Sequence, residues 1–163
     1  MKTRVLTVLA LAVSVILAPS CNKVSNEEEE DTSNSTLTIT LPNKKEVIIE
    51  NAQYIPGASE QDDSYIMGAL IDKDNFISIS WTLVFKLNNQ TLGKDMTFNR
   101  VSFGNPSSSS SQYQTDKFQG QIYLDEVTDT AIIIRMKNVR FTIADGTYLF
   151  NGKLNCLMTA DLN

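Results

Sequence analysis

The sequence contains no histidine among its 163 residues. This absence excludes catalytic triads that use histidine, metal sites built from imidazole, and pH switching near neutrality by an imidazole group. The only two cysteines, Cys21 and Cys156, are too few for a disulfide framework. Catalysis by lysine or carboxylate groups stays open, but the missing histidine argues against an enzyme.

Long apolar runs are also missing. A membrane-spanning helix needs roughly 18 or more apolar residues. The run from Val5 to Leu17 has thirteen residues, is interrupted by Thr7 and Ser14, and follows a segment with two basic residues, Lys2 and Arg4. A short apolar run behind a basic N-terminus is typical of a signal peptide, which we assign to residues 1–20.

The segment that ends this run, Leu17-Ala18-Pro19-Ser20-Cys21, resembles the lipobox of bacterial lipoproteins. The resemblance implies that the Cys21 thiol receives a diacylglyceryl group and that the signal peptide is cut just before this residue. Ala18 and Pro19 depart from the usual pattern, which has a large aliphatic and a small residue at these two positions. The alternative is an ordinary secretory signal that leaves Cys21 as a free thiol. We favour the lipoprotein, because a lone cysteine is a liability in an oxidising compartment, and expect an acyl anchor in the outer membrane.

An acidic tether follows the anchor at residues 21–35. Five consecutive acidic residues, Glu27 to Asp31, lie between small polar residues, and such a block is expected to stay extended. It resembles the acidic export signal that follows the lipidated cysteine in surface-exposed lipoproteins of Bacteroidetes-type bacteria, which implies a location on the cell surface. A solvated spacer without a sorting role is the alternative.

The rest of the chain, residues 36–163, is expected to form a single domain with nearly balanced charge. It has fourteen acidic and eleven basic residues and a net charge of −3. A nucleic-acid-binding protein needs a basic face to contact phosphates, so we expect no nucleic-acid partner.

Apolar residues alternate with polar ones throughout this domain, which predicts an all-β fold. The clearest stretch runs from Ile77 to Leu87, with six apolar residues in register on one face. Turn signals at Pro42-Asn43 and Asp145-Gly146 each separate two extended segments and predict hairpins. We expect about nine strands in an antiparallel two-sheet β-sandwich, with a small β-barrel as the alternative.

Two segments break the alternation. Val47-Ile48-Ile49 and Ala131 to Ile134 are apolar on both faces, so each is expected to be covered by a loop of the same domain or by a partner. Internal cover is the simpler interpretation. The run from Ser107 to Ser111 predicts a mobile surface loop between two strands.

Candidate sites are few. Acidic turns at Asp62-Asp63, at Asp72 with Asp74-Asn75, and at Asp125-Glu126 with Asp129 lack the spacing of a calcium loop, so we predict no metal site and no cofactor. Cys156 lies on an apolar face and is expected to be a buried, inert thiol. Exposed aromatic rings bind sugars, and three tyrosines near predicted loops are the candidates for this role: Tyr54, Tyr65 and Tyr113.

These observations favour a lipid-anchored envelope protein whose domain binds a glycan or a host molecule without enzymatic activity. One alternative is a structural subunit of an envelope assembly, docking through Val47 to Ile49 or Ala131 to Ile134. A hydrolase that uses two carboxylates is the other alternative.

Overall fold

A computed structural model describes residues 36–73 and 76–159. These residues form ten strands and two single-turn 3-10 helices, which confirms the all-β class, with ten strands where about nine were expected. The strands are β1 Leu37–Thr40, β2 Glu46–Ile49, β3 Asn51–Ile55, β4 Asp63–Asp72, β5 Ile77–Lys86, β6 Arg100–Gly104, β7 Gln114–Thr115, β8 Gln119–Val127, β9 Ala131–Ile143 and β10 Gly146–Met158, and the 3-10 helices are Leu87–Asn89 and Ser111–Tyr113.

The hairpins form where the turn residues predicted them. β1 pairs antiparallel with β2 across the Pro42-Asn43 turn, and β9 pairs antiparallel with β10 across Asp145-Gly146. β4 and β5 form another long hairpin, as do β8 and β9. In β5 the alternating apolar residues Ile79, Trp81, Leu83 and Phe85 are all buried, as their register predicted.

β10 is the strand on which the rest of the sheet is organised. It pairs along most of its length with β9 on one side. On the other side it pairs with β1 through residues 149–152 and with β3 through residues 155–158. The β10–β3 pair is parallel, which departs from the expected antiparallel arrangement.

The ladders connect all ten strands into one folded sheet that does not close into a barrel. Its main path is β2-β1-β10-β3-β4-β5-β6-β7, and β9 and β8 extend from the other edge of β10. The connection between β5 and β6 covers the outer edge of β8, because the amide groups of Gly93 and Met96 donate to the carbonyl groups of Leu124 and Ile122, each at 2.7 Å.

The inner faces of the folded sheet enclose a single apolar core. Phe103 is central to it: its ring stacks on that of Phe141 at 4.5 Å and contacts those of Tyr148 and Phe150. Trp81 packs edge-on against Phe150 and is 1% exposed. Aromatic pairs of this geometry add about 0.5–1.5 kcal/mol beyond area burial, so this cluster holds the two sides of the fold together.

The two segments that are apolar on both faces, Ala131 to Ile134 and Val47 to Ile49, differ in how far their outer faces are shielded from solvent. In β9, Ile132 and Ile134 are fully buried, while Ala131 and Ile133 are half-buried on the outer face. In β2, Val47 and Ile49 pack against the core. Ile48 is 62% exposed, so internal cover of this segment, the simpler interpretation of the sequence, is wrong for Ile48.

The serine-rich segment lies on the surface between β6 and β7, as predicted. Its backbone is closed by local hydrogen bonds. The amide of Ser107 donates to the side chain of Asn105, and the side-chain amide of Gln114 donates to the carbonyl of Ser108. Among the described residues, no helix has the length and apolar composition needed to cross a membrane.

Candidate functional site

The structure does not bring the three candidate tyrosines together. Tyr54 lies inside β3, is 2% exposed and packs against Phe85, so the prediction of an accessible ring near a loop is wrong for this residue. It was misplaced because β3 was not recognised in the sequence. Tyr65 lies within β4 and is half-buried, and Tyr113 is half-buried in the second 3-10 helix.

Tyr113 adjoins a polar depression on the surface, which we call the β6 groove. The groove follows the outer face of β6 and is bounded by the segment Ser111 to Phe118. Strand alternation exposes Arg100 and Ser102 there, while Val101 and Phe103 point into the core.

Three cavities that share lining residues make up the β6 groove. A cavity of about 400 Å³ lies between Phe98 to Val101 and Asp116. A second, of about 420 Å³, also contains Asp116 and continues past Lys117 to Ser102 and Gln114. Ser102 and Gln114 also line a third cavity of about 150 Å³ beside the serine-rich loop. Ligand pockets typically measure about 300–1,000 Å³, so the two larger cavities are of suitable size for small ligands.

Two phenylalanine rings form the apolar end of the groove. Phe98 and Phe118 are half-buried and meet edge to face at 6.0 Å. Each is also held from behind by a core ring, Phe98 by Phe85 and Phe118 by Phe141. Their positions are therefore fixed before any ligand binds, and their accessible surfaces offer an apolar contact next to polar groups.

Gly104 determines the structure of the opposite end of the groove, where β7 pairs with β6. A Cβ atom at this position would lie 2.9 Å from the Cα atom of Gln114 and would overlap the carbonyl oxygen of Tyr113. The close approach allows β7 to pair with the end of β6, and the Asn105 amide then donates to the Tyr113 carbonyl at 3.0 Å. This pairing holds the side chain of Gln114 beside Ser102.

The polar lining is rich in amide, hydroxyl and charged groups. Asn99, whose side-chain amide donates to the Asp63 carboxylate at 2.6 Å, is fixed in orientation. Arg100, Asp116 and Lys117 are exposed and contribute two positive charges and one negative charge. Planar amides, guanidinium groups and carboxylates are the side chains that can bind vicinal hydroxyl groups in pairs, so the groove is suited to a neutral or weakly acidic polyhydroxylated ligand.

The acidic turns have local structural partners. Asp72 forms an ion pair with Lys45 at 2.6 Å, and Asp62 accepts a hydrogen bond from Ser59. Asp74 and Asn75 lie outside the described residues. Within the described part of the chain, no group of three or more acidic or cysteine side chains is arranged to bind a metal ion.

Asp125 belongs to a second polar cluster, on the outer face of β8 to β10. It accepts two hydrogen bonds from Arg135, each at 3.0 Å, and lies 3.8 Å from the ammonium group of Lys153. Arg135 also lies over the ring of Tyr123, 4.5 Å from its centroid. A bidentate pair stacked on an aromatic ring fixes these side chains, so we interpret the cluster as structural.

Besides Tyr54, the ionisable side chains of Cys156 and Tyr148 are buried in the core. Cys156 is fully buried between β9 and β3, as the sequence predicted, and burial raises the pKa of its thiol to about 12. Burial, together with the hydrogen bond to Asp145 at 2.8 Å, also raises the pKa of Tyr148 above its ordinary value. Neither group is accessible as a nucleophile.

Comparison with known proteins gives no match: no family model fits the chain, and no curated protein and no solved structure is similar to it. The lipobox segment and Cys21 lie outside the described residues.

Most residues of the β6 groove were not identified from the sequence. Arg100 and Ser102 are ordinary outward residues of a strand, and Phe98 and Asp116 lie in connections between strands, without a motif. The one signal was Tyr113, which marks the segment that forms the groove wall. Pairing of β6 with β7 brings the two halves of the groove together, and this pairing cannot be recognised from a two-residue strand.

Proposed function

We propose that this chain is a lipid-anchored, surface-exposed protein of a bacterial envelope that binds a glycan in the β6 groove. The proposal for the anchor rests on the lipobox and Cys21, and that for surface exposure rests on the acidic tether. The observation that carries the binding function is the β6 groove, which combines two fixed aromatic rings with amide and charged groups along two cavities of suitable size.

The lining of the groove favours binding over hydrolysis. Glycoside hydrolases generally place two carboxylates on opposite sides of the scissile bond, about 5–9.5 Å apart. Asp116 is the only carboxylate among the lining residues of the three cavities. A binding module needs no such pair, because aromatic contact and hydrogen bonds to hydroxyl groups are sufficient.

A glycan array tests the proposal. The soluble fragment 36–163 should bind a defined class of oligosaccharides, and Arg100→Ala should weaken that binding by about tenfold, since one charge-assisted hydrogen bond contributes about 1.5–3 kcal/mol. Lys94→Ala removes an exposed cation outside the groove and serves as the matched control. An array of host molecules, run in parallel, tests whether the fragment binds a protein ligand.

Two results would reject the glycan proposal. Arrays that stay blank for the folded fragment would remove it directly. Binding that Arg100→Ala and Gln114→Ala both leave unchanged would place the ligand elsewhere on the domain.

A further inference from the structure

Arg100 is an exposed cation of the β6 groove whose neighbours on the sheet offer no negative charge. Val84 lies directly opposite it on β5, and Tyr65 lies opposite Val84 on β4. Ser102 is the next residue of β6 on the same face. In the described part of the chain, no ion pair and no side-chain hydrogen bond includes Arg100. The five N–H donors of its guanidinium group are therefore available to a ligand.

Lys117 is a second cation of the groove, and it also has no ion-pair partner among the described residues. Asp116 lines both of the larger cavities, yet it forms an ion pair with neither cation. The lining residues of the three cavities thus carry two positive charges and one negative charge. The domain as a whole has a net charge of −3. The groove therefore has a local excess of positive charge, which attracts an anionic ligand.

We propose that the glycan bound in the β6 groove is acidic and contains a uronic acid residue whose carboxylate binds Arg100. This inference rests on the proposed glycan-binding function and names its ligand class. A guanidinium group presents two parallel N–H donors that match the two oxygens of a carboxylate. The sugar ring that bears this carboxylate then contacts Phe98 and Phe118, which line the same cavity as Arg100.

Asp116 limits how much negative charge the ligand can carry. A sulfated or phosphorylated glycan has several strong negative charges and would place some of them near this carboxylate, because Asp116 borders both larger cavities. Repulsion between like charges in a binding site discriminates between ligands. A glycan with isolated carboxylates, each on a separate sugar, avoids this repulsion. The unpaired Arg100 together with Asp116 therefore favours a uronic acid over a more highly charged sugar.

Matched glycan pairs test the charge of the ligand. Each pair consists of an oligosaccharide that contains uronic acid and its methyl ester, which keeps the ring and the hydroxyl groups but has no charge. In isothermal titration calorimetry, the full chain should bind the acid about tenfold more tightly than the ester, because hydrogen bonds between ionised groups are the stronger ones. Binding of the acid should weaken as the salt concentration rises. A sulfated oligosaccharide of the same length should bind more weakly than the uronate.

Two substitutions with opposite expected effects locate the carboxylate. Arg100→Gln keeps a hydrogen-bonding group but removes the charge, so it should lower the affinity for the acid about tenfold and the affinity for the ester by less than threefold. Asp116→Asn removes the repulsion and should raise the affinity for the acid several-fold. Lys94→Gln removes an exposed cation outside the groove and is the matched control. A purely structural role of either groove residue would not separate the acid from the ester.

The failure of this inference is distinguishable from the failure of the glycan proposal. Equal affinity for acid and ester, tightest binding of the sulfated glycan, or binding of neutral glycans alone would overturn the acidic ligand and leave glycan binding in place. Binding of the acid that Arg100→Gln does not weaken would overturn the assigned contact. A chain that binds neither the acids, the esters nor any neutral glycan would reject both proposals together.

Discussion

Gly68 on β4 lies directly opposite Trp81 on β5, and a Cβ atom at Gly68 would overlap the six-membered ring of the indole. The largest side chain of the core therefore occupies space that the facing residue leaves empty. The indole Nε1 is buried and has no hydrogen-bond partner in the described part of the chain. Packing contacts, among them the edge-on contact with Phe150, hold the ring in place.

Substitution of Gly68 by alanine should therefore lower the free energy of unfolding. An extra methyl group in a packed core usually costs about 1–3 kcal/mol, because neighbouring side chains must leave their preferred rotamers. Urea unfolding of Gly68→Ala measures the loss. Ala69→Val, on the exposed face of the same strand, should change the free energy little. Equal stability of Gly68→Ala and the unsubstituted protein would contradict the packing described.

Burial of Cys156 should make stability depend on pH in the alkaline range. The thiol ionises near pH 8.5 in an unfolded chain but near 12 in the fold. Below pH 8.5 the thiol is protonated in both the folded and the unfolded state, and its contribution to the free energy of unfolding is fully present. Above it the unfolded state loses its proton first, so stability falls by up to about 1.4 kcal/mol per pH unit until the folded pKa is reached.

Cys156→Ala should lack this part of the alkaline slope. Unfolding free energies at pH 8, 9 and 10 measure the slopes of the two proteins, and other titrating groups contribute equally to both. Two parallel curves would mean that the thiol is accessible to solvent in the folded state.

The bidentate pair between Asp125 and Arg135 should contribute measurably to stability. The two side chains are 18% and 28% exposed, so the pair is partly screened by solvent. We expect Asp125→Ala to lower the free energy of unfolding by about 1 kcal/mol and the loss to shrink in high salt. Glu126→Ala, at the next position, is the control. A double-mutant cycle with Arg135→Ala isolates the coupling, and a coupling energy of zero would show that the pair is not stabilising.

Cys21→Ala should abolish labelling of the protein by a radioactive fatty acid and release it from membranes. Cys156→Ala should leave both properties intact, since that thiol is fully buried. Fractionation of cells that express each variant measures the distribution. An unmodified, soluble product of the unsubstituted chain would remove the proposed anchor.

Local patterns were sufficient to predict the hairpins. In β5 apolar and polar residues alternate over ten residues, and the apolar side chains of one face lie in the core. The strand and its buried face can therefore be predicted from this period alone. Asp145-Gly146 likewise requires a tight turn, which fixes the register of β9 on β10.

β3 shows where local patterns fail. Its five residues contain two buried side chains, Ala52 and Tyr54, which is too few to distinguish a strand from a polar loop. Its partner β10 lies about a hundred residues further along the chain and pairs in parallel. Such a pair has no turn to signal it, and the misplacement of Tyr54 follows directly. The β6 groove was missed for a similar reason, because its two walls meet only through tertiary structure.

The position of β10 in the chain has a consequence for synthesis. Three strands depend on this one for hydrogen bonds, yet it follows all of them in the chain. Until Met158 has emerged, β1, β3 and β9 each lack one neighbour, and the emerging polypeptide exposes the unpaired edges of these strands. Completion of the domain therefore waits for β10, because pairings between strands far apart in the chain form slowly.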